Sequence, residues 1–207
     1  DHVATTHRLD PASGRWTDLA LPDGLAGDPA VRVAELATVG DDGAAALLRV
    51  GEEESVLVTV GDDTEEWTEV ARWPRASAPS PTITGGAGCA TDTHWWRMES
   101  LTTGEVESGS VSDGTTSHRV VSVDLATGEE RAVPPPDDVA REEGAPSLVL
   151  GCGRRVPALA TGPFEGAARV LVPVDGEWVD RTPAGIGDAL VTDPVGSAPT
   201  AGPAFTF

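Results

Sequence analysis

The sequence lacks four residue types altogether: its 207 positions hold no lysine, asparagine, glutamine or tyrosine. Without lysine, the chain can have neither a Schiff-base lysine nor a phosphate-binding P-loop. Without asparagine and tyrosine, it has no N-glycosylation site and no tyrosine nucleophile. Several classes of enzyme are therefore excluded before any motif is considered.

Aromatic residues and long apolar runs are also scarce. Aromatic residues make up 4% of the chain against 39% for all hydrophobic residues, so valine, leucine and alanine must fill the core. No run approaches the roughly 20 apolar residues of a membrane-spanning helix, and we expect no membrane insertion. The chain begins at Asp1 without an initiator methionine. We interpret this as processing, with removal of a secretory signal as one explanation, and expect a secreted bacterial protein.

Positive charge is the third scarcity. Against 34 acidic residues the chain has 14 arginines, which gives a net charge of −20. This charge repels nucleic acid and anionic membranes, so we expect neither as a partner. It fits either a solvated acidic surface or recognition of a basic partner or cations. The acidic runs at 52–54 and 62–63 lack the spacing of an EF-hand, so we expect no cofactor, with calcium as the alternative.

Catalytic motifs are missing as well. The four histidines have no zinc-binding spacing, and no Gly-x-Ser-x-Gly element is present. A pair of carboxylates for glycoside cleavage stays open, because the many acids do not single out one pair. The sequence therefore favours a non-catalytic role.

What the sequence does contain is a strand–turn–strand pattern, repeated four times. Each copy has an alternating or β-branched run, an acid with small turn residues, a tryptophan, and a short run that ends at proline. The third copy has Arg131 in place of tryptophan. Turn residues and the closing proline favour a β-hairpin in each copy. The copies are RLDPASGRWTDLALP, VTVGDDTEEWTEVARWP, VSVDLATGEERAVPPP and VPVDGEWVDRTP.

The copies are spaced like the blades of a β-propeller, which have four strands and periods of about 40 to 50 residues. Two further strand candidates precede each of the last three copies. We therefore predict an all-β, single-domain propeller of four blades. Its last blade would be shared between the two termini, which closes the ring. The alternatives are a fragment of a larger propeller and a β-sandwich. The predicted blades are about 30–75, 80–136, 146–183, and 186–207 with 1–22.

The hairpin with its acid, turn and tryptophan resembles the outer hairpin of kelch-type repeats and, more loosely, of Asp-box propellers. The stretch ITGGAG, residues 83–88, is similar to the kelch glycine pair. The chain departs from the kelch pattern in having no tyrosine, and it matches the Asp-box motif nowhere in full. The resemblance implies a propeller fold but no particular activity, since such folds host many functions.

The only two cysteines, Cys89 and Cys152, both follow a glycine on the predicted inner strands of neighbouring blades. Equivalent inner strands lie side by side around a propeller axis, so a bridge between them is geometrically reasonable. A bridge also fits an exported protein. We predict a disulfide, the alternative being two buried free thiols.

Two long acidic segments, 102–117 and 134–147, are the predicted partner-binding loops. In propellers the turns of one face usually bind partners, and long loops on a rigid scaffold often carry function. We predict a secreted binding or assembly module that recognises a protein partner through these loops. The alternative is a solvated insertion. The candidate residues are Glu105, Glu107, Asp113, Asp137, Asp138, Glu142 and Glu143.

Carbohydrate binding is the second hypothesis, because Trp95 and Trp96 suggest a sugar-stacking platform. Adjacent side chains on a strand point to opposite faces, however, so we favour core packing for both. A lectin-like propeller remains the alternative function. A glycan-cleaving enzyme is the less favoured third hypothesis.

Overall fold

The structure is a computed structural model that describes residues 5–10, 13–41, 43–52, 54–61, 63–74, 82–85, 88–107, 110–136, 147–162 and 169–183. Within these residues fifteen strands form four antiparallel sheets, and no helix is present. The predicted all-β class is therefore confirmed. Nor does this part of the chain contain any helix with the length and apolar character to cross a membrane. By compactness, one unit holds the described residues up to 74 with 125–128, and a second holds 82–124 and 129–183.

The first sheet is the hairpin of the opening repeat. β1 (Thr6–Asp10) pairs with β2 (Arg15–Leu19), and Leu9 lies directly opposite Trp16. Gly14 has a φ of 68°, in the left-handed region that a glycine enters without strain. Two short strands and a tight turn were expected here, and the structure confirms them.

The second sheet is a four-stranded meander in which each strand pairs with the next along the chain. Its two central strands are rich in valine, leucine and alanine, and most of these side chains are buried. Its outer strands carry more exposed and charged positions. The strands are β3 (Val31–Val39), β4 (Gly43–Val50), β5 (Glu54–Val60) and β6 (Thr68–Pro74).

Trp67 connects the opening hairpin to this meander through hydrogen bonds. Its Nε1 donates to Oγ1 of Thr6 at 2.9 Å, and the Thr6 hydroxyl donates to the carbonyl oxygen of Leu19 at 2.9 Å. The main-chain N–H of Trp67 donates to the carbonyl of Ala20 at 2.9 Å. Hairpin and meander therefore share one core. Its buried members are Leu19, Leu25, Val31, Ala44, Ala46, Leu48, Val56, Val58, Val60 and Trp67.

The second unit contains a five-stranded sheet built around one long hairpin. β9 (His94–Glu107) and β10 (Ser110–Asp124) form this hairpin, and β11 (Glu130–Val133) pairs with the other edge of β10. β7 (Thr82–Gly85) and β8 (Cys89–Ala90) pair with successive parts of the other edge of β9. The sheet is therefore a meander whose first strand is in two pieces.

The fourth sheet is again a meander in chain order. Its strands are β12 (Ser147–Cys152), β13 (Pro157–Gly162), β14 (Arg169–Val174) and β15 (Glu177–Asp180). The Asp175–Gly176 turn has positive φ at both positions, 54° and 88°. An Asp-Gly pair is the residue choice that such a two-residue hairpin turn favours, as the repeated pattern predicted.

A disulfide and a common core join the two sheets of the second unit. Cys89 and Cys152 are bonded, with their Cα atoms 5.6 Å apart, so the predicted bridge is present. The core between the sheets is small and aliphatic, and Trp96, Met98 and Trp178 pack against it. Its buried members are Val120, Leu150, Leu159 and Leu171.

Three of the four repeated hairpins share an ion pair that is not evident when the four copies are compared with one another. In each, a carboxylate two residues after the tryptophan bonds to a cationic or imidazole side chain. The pairs are solvent-exposed, so each contributes little to stability. They are Asp18 with Nδ1 of His7 at 2.8 Å, Glu69 with Nη2 of Arg72 at 2.7 Å, and Asp180 with Nε of Arg169 at 3.0 Å.

Asp180 has the best-satisfied carboxylate of these three. Thr182 donates to Oδ1 from its hydroxyl at 2.6 Å and from its main-chain N–H at 2.9 Å. The two Thr182 bonds, and then the Arg169 bond, lower the pKa of Asp180 from 3.8 to about 2. A depressed pKa means that the charged form stabilises the fold above the ordinary pKa, and that this contribution is lost as the pH falls toward 2.

We expect Thr182→Val to raise the pKa of Asp180 toward its ordinary value, because the substitution removes the hydroxyl donor. Carboxyl ¹³C chemical shifts during an acid titration measure that pKa directly. Thr17→Val, at another copy of the repeat, is the control and leaves it unchanged. An Asp180 pKa that is the same in Thr182→Val and wild type would contradict the assignment.

Candidate functional site

The candidate site is the outer part of the β9–β10 hairpin, residues 103–107 with 110–115, which we call the acidic ribbon. β7 pairs with β9 only as far as Thr102, and β11 pairs with β10 only from Val120 onward. Beyond these points, β9 and β10 pair only with each other in the described part of the chain. In the described residues, a two-stranded ribbon therefore extends beyond the neighbouring strands of the sheet.

The composition of residues 102–117 predicts a loop, whereas the structure has paired strands over 102–107 and 110–117. Glu107 lies opposite Ser110, and Glu105 lies opposite Ser112. Val106 stands between two glutamates and Val111 between two serines, an alternation that suits a strand once a partner strand satisfies the backbone. The loop prediction is wrong because the Ser and Gly content outweighed that alternation. The two residues between the strands, 108–109, lie outside the described residues.

A β-bulge interrupts the ribbon. The pairing register shifts between Ser112 and Thr115, so that Asp113 and Gly114 together lie opposite Gly104. A bulge leaves one residue unpaired and increases the local twist. Twisted edges of this kind resist unspecific pairing with strands of other molecules. Asp113 therefore occupies an irregular position on an otherwise regular ribbon.

The charged residues of the ribbon are all acidic. Glu105 and Glu107 are separated by one residue on β9. Val106, between them, is paired in register with Val111 on β10. With Asp113 at the bulge, the ribbon has three acids and no basic residue. By its sequence, the ribbon is therefore a purely acidic segment.

Four charged side chains form an ion-pair network at the base of the ribbon. Arg97 donates from Nε to Oε1 of Glu99 at 2.9 Å and from Nη2 to Oε2 of Glu130 at 3.1 Å. Arg119 donates to the second carboxylate oxygen of Glu99. Glu99 is only 7% exposed, and these two arginines compensate its charge. The nearest arginines on both ribbon strands are therefore already engaged below the ribbon.

His118 adds no positive charge beside the ribbon. It lies on β10 directly opposite Ser100 and is half-buried. Burial lowers the pKa of its imidazole below 6.5. At neutral pH the ring is therefore mostly uncharged.

Most of the second predicted loop, residues 134–147, lies outside the described residues. β11 ends at Val133 and β12 begins at Ser147, and residues 137–146 between them lie outside the described residues. The candidate partner-binding acids of this loop remain predictions. They are Asp137, Asp138, Glu142 and Glu143.

The aromatic pair does not form a platform. Trp95 is fully buried, while Trp96 is half-buried against the core of the second unit. In the described part of the chain, neither indole N–H has a hydrogen-bond partner. The tryptophan with a large exposed surface is instead Trp16, at 49%, in the first copy of the repeat.

Neither a metal centre nor a known relative indicates a function. The described ranges hold no group of three or more His, Cys, Asp or Glu side chains placed to bind a metal ion. No protein-family model, curated protein or solved structure matches the chain. Function must therefore be inferred from the geometry and charge of the molecule.

Proposed function

We propose that the protein is a secreted, non-catalytic binding module that recognises a protein partner through the acidic ribbon. The observation that carries the proposal is the extension of β9 and β10 beyond both neighbouring strands. The rest of the sheet and the Glu99 ion-pair network hold the base of the ribbon in place. A preorganised element of this kind loses less entropy on binding than a loose loop does.

The scaffold in this proposal is a small β-propeller. β3–β6, β7–β11 and β12–β15 are each antiparallel meanders, the strand order of a propeller blade. The β1–β2 hairpin would be half of a fourth blade, with residues 186–207 as the other half. A blade formed by both termini would close the ring, in line with the resemblance of the repeats to kelch-type hairpins. A fragment of a larger propeller is the alternative.

The chemistry of the partner follows from the charge of the ribbon. Three acids without a base favour a protein surface rich in Lys and Arg, and the net charge of −20 favours the same choice. Complementary charge speeds encounter and selects against acidic competitors.

The test replaces the three ribbon acids in the full chain, as Glu105→Gln, Glu107→Gln and Asp113→Asn. Tagged protein is exported from its native host and used to recover partners from the medium. We expect recovery of the stoichiometric partner to fall about tenfold or more, since three charge contacts of about 0.5 kcal/mol each reach the 1.4 kcal/mol of a tenfold change. A circular-dichroism spectrum equal to that of wild type shows that the variant is folded.

A matched control removes the same charge elsewhere, as Asp63→Asn, Glu65→Gln and Glu66→Gln. These three residues lie in the exposed turn before Trp67. Recovery with this control should equal that of wild type. Equal loss in both triple variants would make binding a property of net charge alone. Full recovery of the partner with the ribbon variant would show that the ribbon is not part of the interface.

Carbohydrate binding is a second candidate function, favoured by the exposure of Trp16. Its ring lies opposite Leu9 on the face of the hairpin that also carries His7 and Asp18. An open indole beside polar groups suits stacking on a sugar. Quenching of tryptophan fluorescence by a soluble glycan, abolished by Trp16→Ala, would favour this function. Glycan cleavage would instead require turnover on a polysaccharide panel.

A further inference from the structure

The sheet β12–β15 has two faces of different character. On one face Leu150, Leu159 and Leu171 are 8%, 0% and 0% exposed. The register places valines and alanines on the other: Val149 lies opposite Ala160, and Val172 opposite Val179. We call this second side the aliphatic face. Its members are Val149, Ala158, Ala160, Val170, Val172, Val174 and Val179.

None of the seven aliphatic residues is buried. Val149 is 56% exposed and Val174 is 40% exposed. Glu177, opposite Val174, is the only charged residue among the described positions of this face. A contiguous apolar patch of this kind marks a surface that another element covers. We therefore expect another segment of protein to pack against this apolar face.

We propose that residues 184–199 of the same chain cover the aliphatic face. β15 is an edge strand of this sheet, and the described part of the chain ends three residues beyond it, at Pro183. The covering segment therefore starts beside the sheet that it covers. Such a short connection gives the segment a local concentration in the millimolar range, which a separate molecule does not reach.

The composition of the segment fits this surface. AGIGDALVTDPVGSAP, residues 184–199, has two aspartates and no basic residue, and it contains the strand candidate 189–199. The apolar run at Leu190 and Val191 supplies side chains that suit a valine-rich sheet face. A charged partner has little to recognise there, because the face offers only Glu177. The acidic ribbon lies on a different sheet. The proposal for the aliphatic face can therefore be wrong while the proposed binding by the ribbon is right, and the reverse.

The test is photo-crosslinking of the full chain carrying Val149→p-benzoylphenylalanine. Val149 is exposed enough to accept the larger ring. Trypsin cleaves after arginine, so residues 182–207 form one peptide and position 149 lies in the peptide 142–154. After reduction of the disulfide, we expect these two peptides to be recovered as a crosslinked pair.

Val156→p-benzoylphenylalanine is the matched control, since Val156 is 48% exposed but lies in the turn between β12 and β13. The yield of crosslinks to peptide 182–207 should be on the order of tenfold higher from position 149 than from position 156. Mixed ¹⁵N-labelled and unlabelled protein shows whether both peptides come from one chain. Crosslinks between two chains, or a yield no higher than the control, would each overturn the proposal.

Discussion

Replacing both Cys89 and Cys152 with alanine lowers the free energy of unfolding by roughly 4 kcal/mol. The bridge closes a segment with a sequence separation of 63, so its loss releases a long loop in the unfolded chain. The Cα separation of 5.6 Å lies in the usual range, and the native fold accommodates the bond. Among the described residues, the core cluster between the two sheets has four buried members, and the disulfide links the same two sheets covalently.

Urea unfolding followed by tryptophan fluorescence measures this effect. Wild-type protein in reducing agent should lose the same stability as the double variant, and the double variant should not respond to reducing agent. Hydrogen exchange should accelerate first at β8 and β12, which carry the two sulfurs. An unchanged unfolding midpoint in the double variant would show that the sheets hold together without the bond.

Trp67→Ala lowers the free energy of unfolding by about 3 to 5 kcal/mol, the usual cost of removing a large buried aromatic side chain. The Trp67 side chain is 6% exposed, belongs to the core of the first unit and donates to Thr6. Its removal leaves a cavity and a buried hydroxyl without its donor. The matched control is Trp16→Ala in the first copy of the same repeat. Since Trp16 is 49% exposed, we expect that change to cost less than about 1 kcal/mol.

A double-mutant cycle separates the hydrogen bond from the packing. Trp67→Phe keeps most of the ring but removes Nε1, and Thr6→Val removes its acceptor. The coupling between these two changes should be about 1 kcal/mol, the net worth of an ordinary buried hydrogen bond. Equal costs for Trp67→Ala and Trp16→Ala would mean that the two tryptophans have equivalent environments in solution, contrary to the structure.

The features that the sequence predicted correctly are those that local patterns determine. Alternation with a period of two, turn residues at fixed offsets and closing prolines specify antiparallel hairpins without reference to distant residues. The Asp175–Gly176 turn is one such case. The Cys89–Cys152 bond is an exception, since it joins residues 63 apart and was predicted from the neighbouring blades of a propeller, an arrangement that itself remains a prediction. For the hairpins, a few residues carry the necessary information.

The features that the sequence did not reveal depend on partners far along the chain. Trp16 and Trp67 occupy equivalent positions of the repeat, yet only Trp67 is buried, because burial depends on what the rest of the fold places beside each ring. The sequence predicts a loop where the ribbon strands lie, because isolated Thr, Ser and Gly give no strong strand signal until the partner strand is known. The propeller arrangement, the secretion and the protein partner remain predictions.

The meander order of the sheets has a consequence for how quickly the chain can fold. Each meander uses one contiguous stretch, 31–74, 82–133 or 147–180, so every strand finds its partner within a short loop. Short loops keep the entropy cost of closure small. All-β proteins usually fold slowly because their pairings are distant in sequence, and folding rate falls as that distance grows. Local pairing places this chain toward the fast end of its structural class.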